Sequence, residues 1–274
     1  MRVAIFILVF FVLAGPSKGQ SVSTLMGARQ AGMGYASSTF KDEWALFSNV
    51  GALGKTQQPS TAFAYEAVPA LVGANRMAAV FNVPLRWANA GLGMFRFGDA
   101  IYSEQIVSLG VGNQFGITSL GIKLNYIQYR AEGFGIQNAF SIDFGGITEL
   151  TEQITIGAYI NNVTQSSLQT RDGEKLPTRL VVGIGIKPSE KVFIATELEK
   201  DIDYKPTWRT GIEYSVYKNL FFRTGYAVNP QAGFFGLGFC KNKLKIDYGI
   251  RFGQFSGAAH QASATYLIAS KDAK

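Results

Sequence analysis

From about residue 60 onward, apolar and polar side chains alternate with a period of two, the spacing of strands with two unlike faces. In 134–145, Phe134, Ile136, Phe140, Ile142 and Phe144 share one face, with Asn138 its one polar exception. Gly135, Gln137, Ala139, Ser141 and Asp143 share the other. Segment 244–252 sets Leu244, Ile246, Tyr248, Ile250 and Phe252 against Lys245, Asp247, Gly249 and Arg251. Segment 208–216 sets Trp208, Thr210, Ile212, Tyr214 and Val216 against Arg209, Gly211, Glu213 and Ser215. Further alternating runs lie near 60–66, 77–84, 88–97, 103–112, 120–127, 154–161, 180–187, 192–199, 220–226, 234–240 and 260–268. The pattern predicts about 14 strands.

A soluble sandwich alternates too, but its polar face meets water and is rich in Lys, Glu, Asp and Thr. Here that face is rich in glycine: Gly121, Gly135, Gly157, Gly183, Gly185, Gly211, Gly225, Gly236, Gly238 and Gly249. Small residues suit the inside of a narrow closed barrel, where side chains converge. Aromatics gather at strand ends (Tyr126, Tyr129, Trp208, Phe221, Phe222, Tyr226, Phe252, Tyr266), as interfacial girdles do. The fold class expected is all-β, a transmembrane antiparallel β-barrel of about 14 strands in contact with outer-membrane lipids. Fourteen strands in residues 60–270 leave about 4–6 residues per connection once each strand has the 9–11 needed to cross. The longest candidate loops fall near Thr164–Pro177 and around Glu66–Asn75.

The N-terminus reads as an export signal: Arg2, then a 12-residue apolar core from Val3 to Ala14, broken by Gly15-Pro16, with Ser17 and Gly19 as small residues for cleavage. Twelve helical residues reach only about 18 Å, too short for a bilayer core. The expected organisation is a signal peptide at 1–19, a plug segment at 20–58, the barrel at 59–270 and a tail at 271–274, in the outer membrane of a Gram-negative bacterium. Segment 20–58 does not alternate. A solvated tail is the other reading, but Trp44, Leu46, Phe47 and Leu53 are too apolar for one, and Asp42-Glu43 opens a short helical stretch.

Composition narrows the chemistry. Charged residues make up 16% of the chain, below the roughly 25% of a soluble domain. Removing Arg2 and Lys18 from 26 basic residues leaves 24 against 19 acidic, a net +5 with no basic block, which gives no nucleic-acid footprint. One cysteine, Cys240, excludes an internal disulfide; it falls on the lumen parity and reads as a small buried residue. One histidine, His260, with no serine motif beside it, argues against an enzyme, a metal centre or any cofactor. Glu197, Glu199, Arg209, Glu213 and Arg223 fall on the inward face of three successive strands, with Lys245, Asp247 and Arg251 on a later one. Their mixed signs read as a cross-strand ladder that pins register; an ion or substrate path is the alternative. Charge balance pairs Arg29 with an acidic residue. Pro84, which cannot donate to a ladder, is the candidate strand break.

A family resemblance rests on three stretches. Gly27-Ala28-Arg29-Gln30-Ala31-Gly32-Met33-Gly34, then Asp42-Glu43-Trp44-Ala45-Leu46, then Asn49-Val50-Gly51-Ala52-Leu53 resemble the N-terminal signature of PorV/PorQ-type outer-membrane proteins, within the wider FadL-like barrel group. Val50 stands where that signature commonly has proline. Gly233–Gly238, Leu244–Ile250 and Gly257-Ala258-Ala259-His260-Gln261 are similar to its ending, with Gln261 in place of an arginine. The resemblance implies a 14-stranded barrel with a hatch, Gly27, Arg29, Gly32, Gly34, Trp44 and Asn49 carrying the hatch motif. It also implies an accessory role in a type IX-like protein secretion or assembly complex, with a larger translocon as partner. The alternative within the group is a channel for hydrophobic small molecules such as fatty acids, passed laterally through a gap in the wall; an orphan structural barrel is a third.

Overall fold

The structure is a computed structural model, and it describes residues 22–168, 175–254 and 257–268. The signal peptide expected at 1–19 and the tail at 271–274 lie outside the described residues. Fourteen strands form one closed antiparallel barrel: β1 (Ser60–Ala67), β2 (Arg76–Pro84), β3 (Asn89–Gly98), β4 (Tyr102–Phe115), β5 (Thr118–Ala131), β6 (Gly135–Glu149), β7 (Ile154–Asn161), β8 (Arg179–Ser189), β9 (Val192–Asp201), β10 (Thr207–Tyr217), β11 (Leu220–Val228), β12 (Ala232–Lys241), β13 (Leu244–Gly253) and β14 (Gly257–Leu267). Each strand pairs with its sequence neighbours, and β14 pairs with β1 to close the wall. Closure removes the unpaired edges that an open sheet would present.

The alternation sets the two faces as expected. Phe140, Phe144, Ile212, Tyr214, Ile246 and Tyr248 point outward and are exposed, while Gly121, Gly157, Gly211 and Gly249 line the lumen. Gly135 departs from the expected inward set: it opens β6 at a φ of +84°, and a Cβ added there would meet nothing within 4 Å, so it is a turn residue. Among the described residues no helix is long and apolar enough to cross a membrane.

The two ends of the barrel differ. At the end where β1 begins and β14 stops, four hairpins close in two residues: Gly116-Ile117, Glu190-Lys191, Lys218-Asn219 and Asn242-Lys243. The opposite end carries the longer connections, 68–75 and 162–178. Short turns on the side where β14 stops and longer loops opposite are the outer-membrane pattern, with the short turns periplasmic.

The wall is uneven in height. Strands β4, β5 and β6 have 14, 14 and 15 residues, and β7 has only 8. β6 therefore pairs with β7 only from Phe144 to Glu149. Above that point Asp143 and Ile142 on its edge face Asn162 and Val163.

Residues 22–58 run through the lumen. The chain forms a five-residue helix α1 (Ala28–Gly32) against β11 to β14, then two 3-10 turns, Glu43–Phe47 and Val50–Lys55. Nearly every residue from Leu25 to Leu53 is buried. The molecule's main apolar core is made here: Trp44, Leu46, Phe47, Val50 and Leu53 pack on Ala64, Val80, Phe95, Ile106, Ile127 and Ile147 of the wall.

Candidate functional site: the hatched lumen

The lumen glycines have a use that alternation does not reveal. A Cβ on Gly157 would meet the Ser38 carbonyl oxygen at 2.0 Å, one on Gly211 the Met33 oxygen at 2.4 Å, and one on Gly121 the Val50 oxygen at 2.4 Å. The narrowness is imposed by the hatch backbone lying on the wall, more than by crowding between wall side chains.

Polar contacts hold the hatch. Asn49 Nδ2 donates to Ser38 O (2.7 Å) and to Gly146 O of β6 (2.8 Å), and its Oδ1 accepts from Gly51 N (3.0 Å). Asn49 is thus the N-cap of the second 3-10 turn. Val50 takes the first turn position, where proline is favoured but not required. Asp42 caps the first turn through Trp44 N, and Gln30 Nε2 donates to both its oxygens. Gly27, at φ +109°, packs against Trp44 where a Cβ would clash; Gly32 lies against Gly236; Gly34 adopts φ +67° beside β10 and β11.

The inward charges form two clusters, and both reach the hatch. Arg209 pairs with Glu197 (3.0 Å) and Glu199 (2.8 Å). Glu197, 2% exposed, accepts from Ser37 N and Ser38 N. Arg223 bridges Glu213 (2.6 Å) and Asp247 (2.7 Å). Arg29 pairs with Glu213 (2.8 Å) and Asp42 (3.1 Å). Burial works against the Arg29 charge, but Glu213 and then Asp42 outweigh it and hold the guanidinium above its ordinary pKa. Burial pushes the Asp42 carboxyl up, with Arg29 opposing. Lys245 reaches Glu43 of the hatch (2.6 Å) instead of a wall residue.

Two of the expected roles need correction. Arg251 joins no ion pair among the described residues, because its partners in register are Phe234 and Ala259; its Nε is buried without a hydrogen bond. Pro84 breaks no strand: it is the last residue of β2, paired with Asn89 and beyond the last β1 partner, Asn82, so its missing N–H leaves no hole in the wall. Cys240 is half-buried.

Two buried pairs were not singled out in the sequence. Glu66, 3% exposed, accepts from Arg76 Nε and Nη2 (2.9 and 2.5 Å), Tyr35 Oη (3.0 Å) and Gln261 Nε2 (3.0 Å). Lys123 pairs with Asp143 (2.8 Å) and donates to Leu46 O. Both pairs lie in register across one hairpin, so folding each alternating run onto the next would have found them.

The Lys123–Asp143 pair sits where β6 and β7 part. Asp143 accepts from Asn161 Nδ2 (2.9 Å) and Asn162 N (2.8 Å), and Val163 N donates to Ile142 O (2.8 Å). The loop is strapped across the seam there. Behind the strap lies a cavity of about 80 Å³, lined by Val22, Phe47, Ile106, Ile127, Ser141 and Leu176, with the Lys123–Asp143 pair at its edge. A second, wider space of about 620 Å³ opens toward the long-loop end, between Leu25, Phe234, Arg251 and Arg209.

Among solved structures, the chain is similar to the toluene transporter TodX of Pseudomonas putida, with a TM-score of 0.67, 12% identity, 91% of this chain covered and 99% of that one. The fold is that of an outer-membrane barrel. A TodX variant described as a monoaromatic hydrocarbon channel superposes at 0.64 with 14% identity, over 90% and 99% of the two chains. The outer membrane protein Omp33 of Acinetobacter baumannii superposes at 0.52 with 8% identity, over 78% and 100%. No protein-family model and no curated protein matches the sequence. Among the described residues no group of three His, Cys, Asp or Glu side chains is placed to hold a metal.

Proposed function

We propose that this protein is an outer-membrane channel for small hydrophobic molecules, in which the hatch blocks the axial path and cargo leaves through the wall. The observation that carries this reading is the small cavity of mixed apolar and polar lining placed directly behind the seam where the β6–β7 ladder stops. A lumen filled by a buried hatch gives water and ions no wide path. At about 80 Å³ the cavity is roughly half the volume of an engineered apolar cavity of about 150 Å³ that takes up benzene, so a monoaromatic cargo requires the strap or the hatch to give way. The cavity wall is mixed: Phe47, Ile106, Ile127 and Leu176 supply apolar contact, while Ser141, Asn125, Arg179 and the Lys123–Asp143 pair make it more polar than the usual small-molecule site. Likeness in fold to a hydrocarbon channel supports the same reading.

The role of accessory subunit to a secretion or assembly complex is supported by the hatch motif resemblance alone, and the two readings differ in what each leaves in a purification. The test is uptake of radiolabelled toluene by cells expressing the barrel, compared with a Ser141→Trp variant that fills the cavity. Ser141 is 3% exposed and faces the lumen. Wild-type cells should exceed empty-vector cells, and the variant should fall to the vector level while keeping folded mobility on an unheated gel. Uptake that never exceeds the vector, or that Ser141→Trp leaves unchanged, overturns the proposal. Stoichiometric recovery of a larger barrel in mild detergent would favour the accessory role.

A further inference from the structure

The outward face carries single polar residues at several places, among them Lys200, Thr210 and His260, and one continuous polar row that crosses four neighbouring strands. Arg96 of β3 stands opposite Gln105 of β4, Gln105 opposite Gln128 of β5, and Gln128 opposite Asn138 of β6, each in register. All four share the parity of the membrane-facing wall: Met94, Val107, Tyr126 and Phe140 lie two residues nearer the middle and are exposed. Arg130 lies two residues beyond Gln128 on the same face and is exposed, as is Arg96. The amides are tied together, Tyr126 Oη and Gln128 Nε2 both donating to Asn138 Oδ1 (3.1 and 3.3 Å).

Elsewhere around the rim the corresponding ends of β1, β10, β11 and β13 carry the exposed aromatics Tyr65, Trp208, Tyr226 and Phe252, and β9 carries Lys200, whose Nζ donates to Tyr204 O. Neither Arg96 nor Arg130 makes an ion pair among the described residues. The acids of the nearby turns do not answer them: Asp99 Oδ1 accepts from Ile101 N and Tyr102 N of its own turn, and Glu132 is exposed in the next turn.

Two unpaired guanidinium groups beside a run of amides, on the wall that faces lipid and at the long-loop end, call for an anion at the membrane surface. We infer that this row binds the phosphate of an outer-leaflet lipid headgroup. The guanidinium fork matches phosphate oxygens in a bidentate way, and the amide N–H groups add neutral donors. Ile101 and Phe134, exposed in the turns beyond the row, supply apolar contact for the carbon framework of a bulky headgroup. The site stands on the outer wall and is independent of the cavity and its cargo.

The test is native mass spectrometry of the detergent-solubilised full chain titrated with bisphosphorylated lipid A. Three proteins are compared: wild type, the double variant Arg96→Gln/Arg130→Gln, and a control, Lys218→Gln/Lys243→Gln, which removes two exposed charges from the two-residue turns. Wild type and control should each hold one lipid A. The double variant, still folded by unheated gel mobility, should bind about tenfold more weakly, the effect of losing charge-assisted hydrogen bonds. Dephosphorylated lipid A should fail to bind wild type. Equal affinity in all three proteins, equal binding of the dephosphorylated lipid, or loss of a co-purifying protein instead of the lipid would each overturn the inference.

Discussion

Gly157 shows how a single position couples wall and hatch. The Cα hydrogen in its side-chain position points at the Ser38 carbonyl, and a methyl there would stand 2.0 Å from that oxygen. Neither atom belongs to a flexible side chain, so the backbone must move. Gly157→Ala should therefore unseat the hatch and raise ion conductance through the barrel in planar bilayers by a large factor. Gly233→Ala, where nothing lies within 4 Å, should behave as wild type. Conductance unchanged in both would mean that the hatch does not block the lumen. The same logic applies to Asn49, whose single side chain ties together two hatch segments and β6. Its place in the N-terminal motif has a geometric cause that spacing alone does not express.

At the scale of elements, the β6–β7 junction is the weak line of the wall. A 15-residue strand meets an 8-residue one, and hydrogen bonds from the loop to Asp143 and Ile142 hold the remainder. Asp143→Ala removes the acceptor of Asn162 N. Because it also takes away the acceptor of Asn161 Nδ2 and the partner of the buried Lys123 ammonium, it should raise amide hydrogen exchange at Asn162 and Val163 by more than the roughly tenfold of one lost hydrogen bond, and it should leave the β12–β13 amides protected. The strands themselves were legible because their signal is local: a period of two with one face facing lipid places each run to within a few residues. β2 read one residue short, and Glu66–Asn75 read as loop, because Glu66 and Arg76 are charged residues at strand ends that only become wall positions once paired with each other. Pro84 was misread for a similar reason. A proline at a strand terminus and one inside a strand look alike until the register is known.

For the whole molecule, the alternating wall, the two-residue turns at one end and the apolar exterior all follow from the outer membrane as solvent. The path of the hatch was not legible, since segment 22–58 has no repeat and its contacts come from every part of the barrel. The inward charges were readable as a set, but their division into two clusters and their attachment to Arg29, Ser37 and Glu43 depend on that path. On the proposed reading, cargo leaves through the wall where Asn162 and Val163 strap the edge of β6. A disulfide across that seam tests it most directly. Val163 N donates to Ile142 O at 2.8 Å, which sets the two backbones side by side across the seam, as a cystine bridge requires. In a Cys240→Ser background, Ile142→Cys/Val163→Cys should abolish toluene uptake when oxidised and recover it when reduced. Equal uptake in the two states would contradict the lateral route.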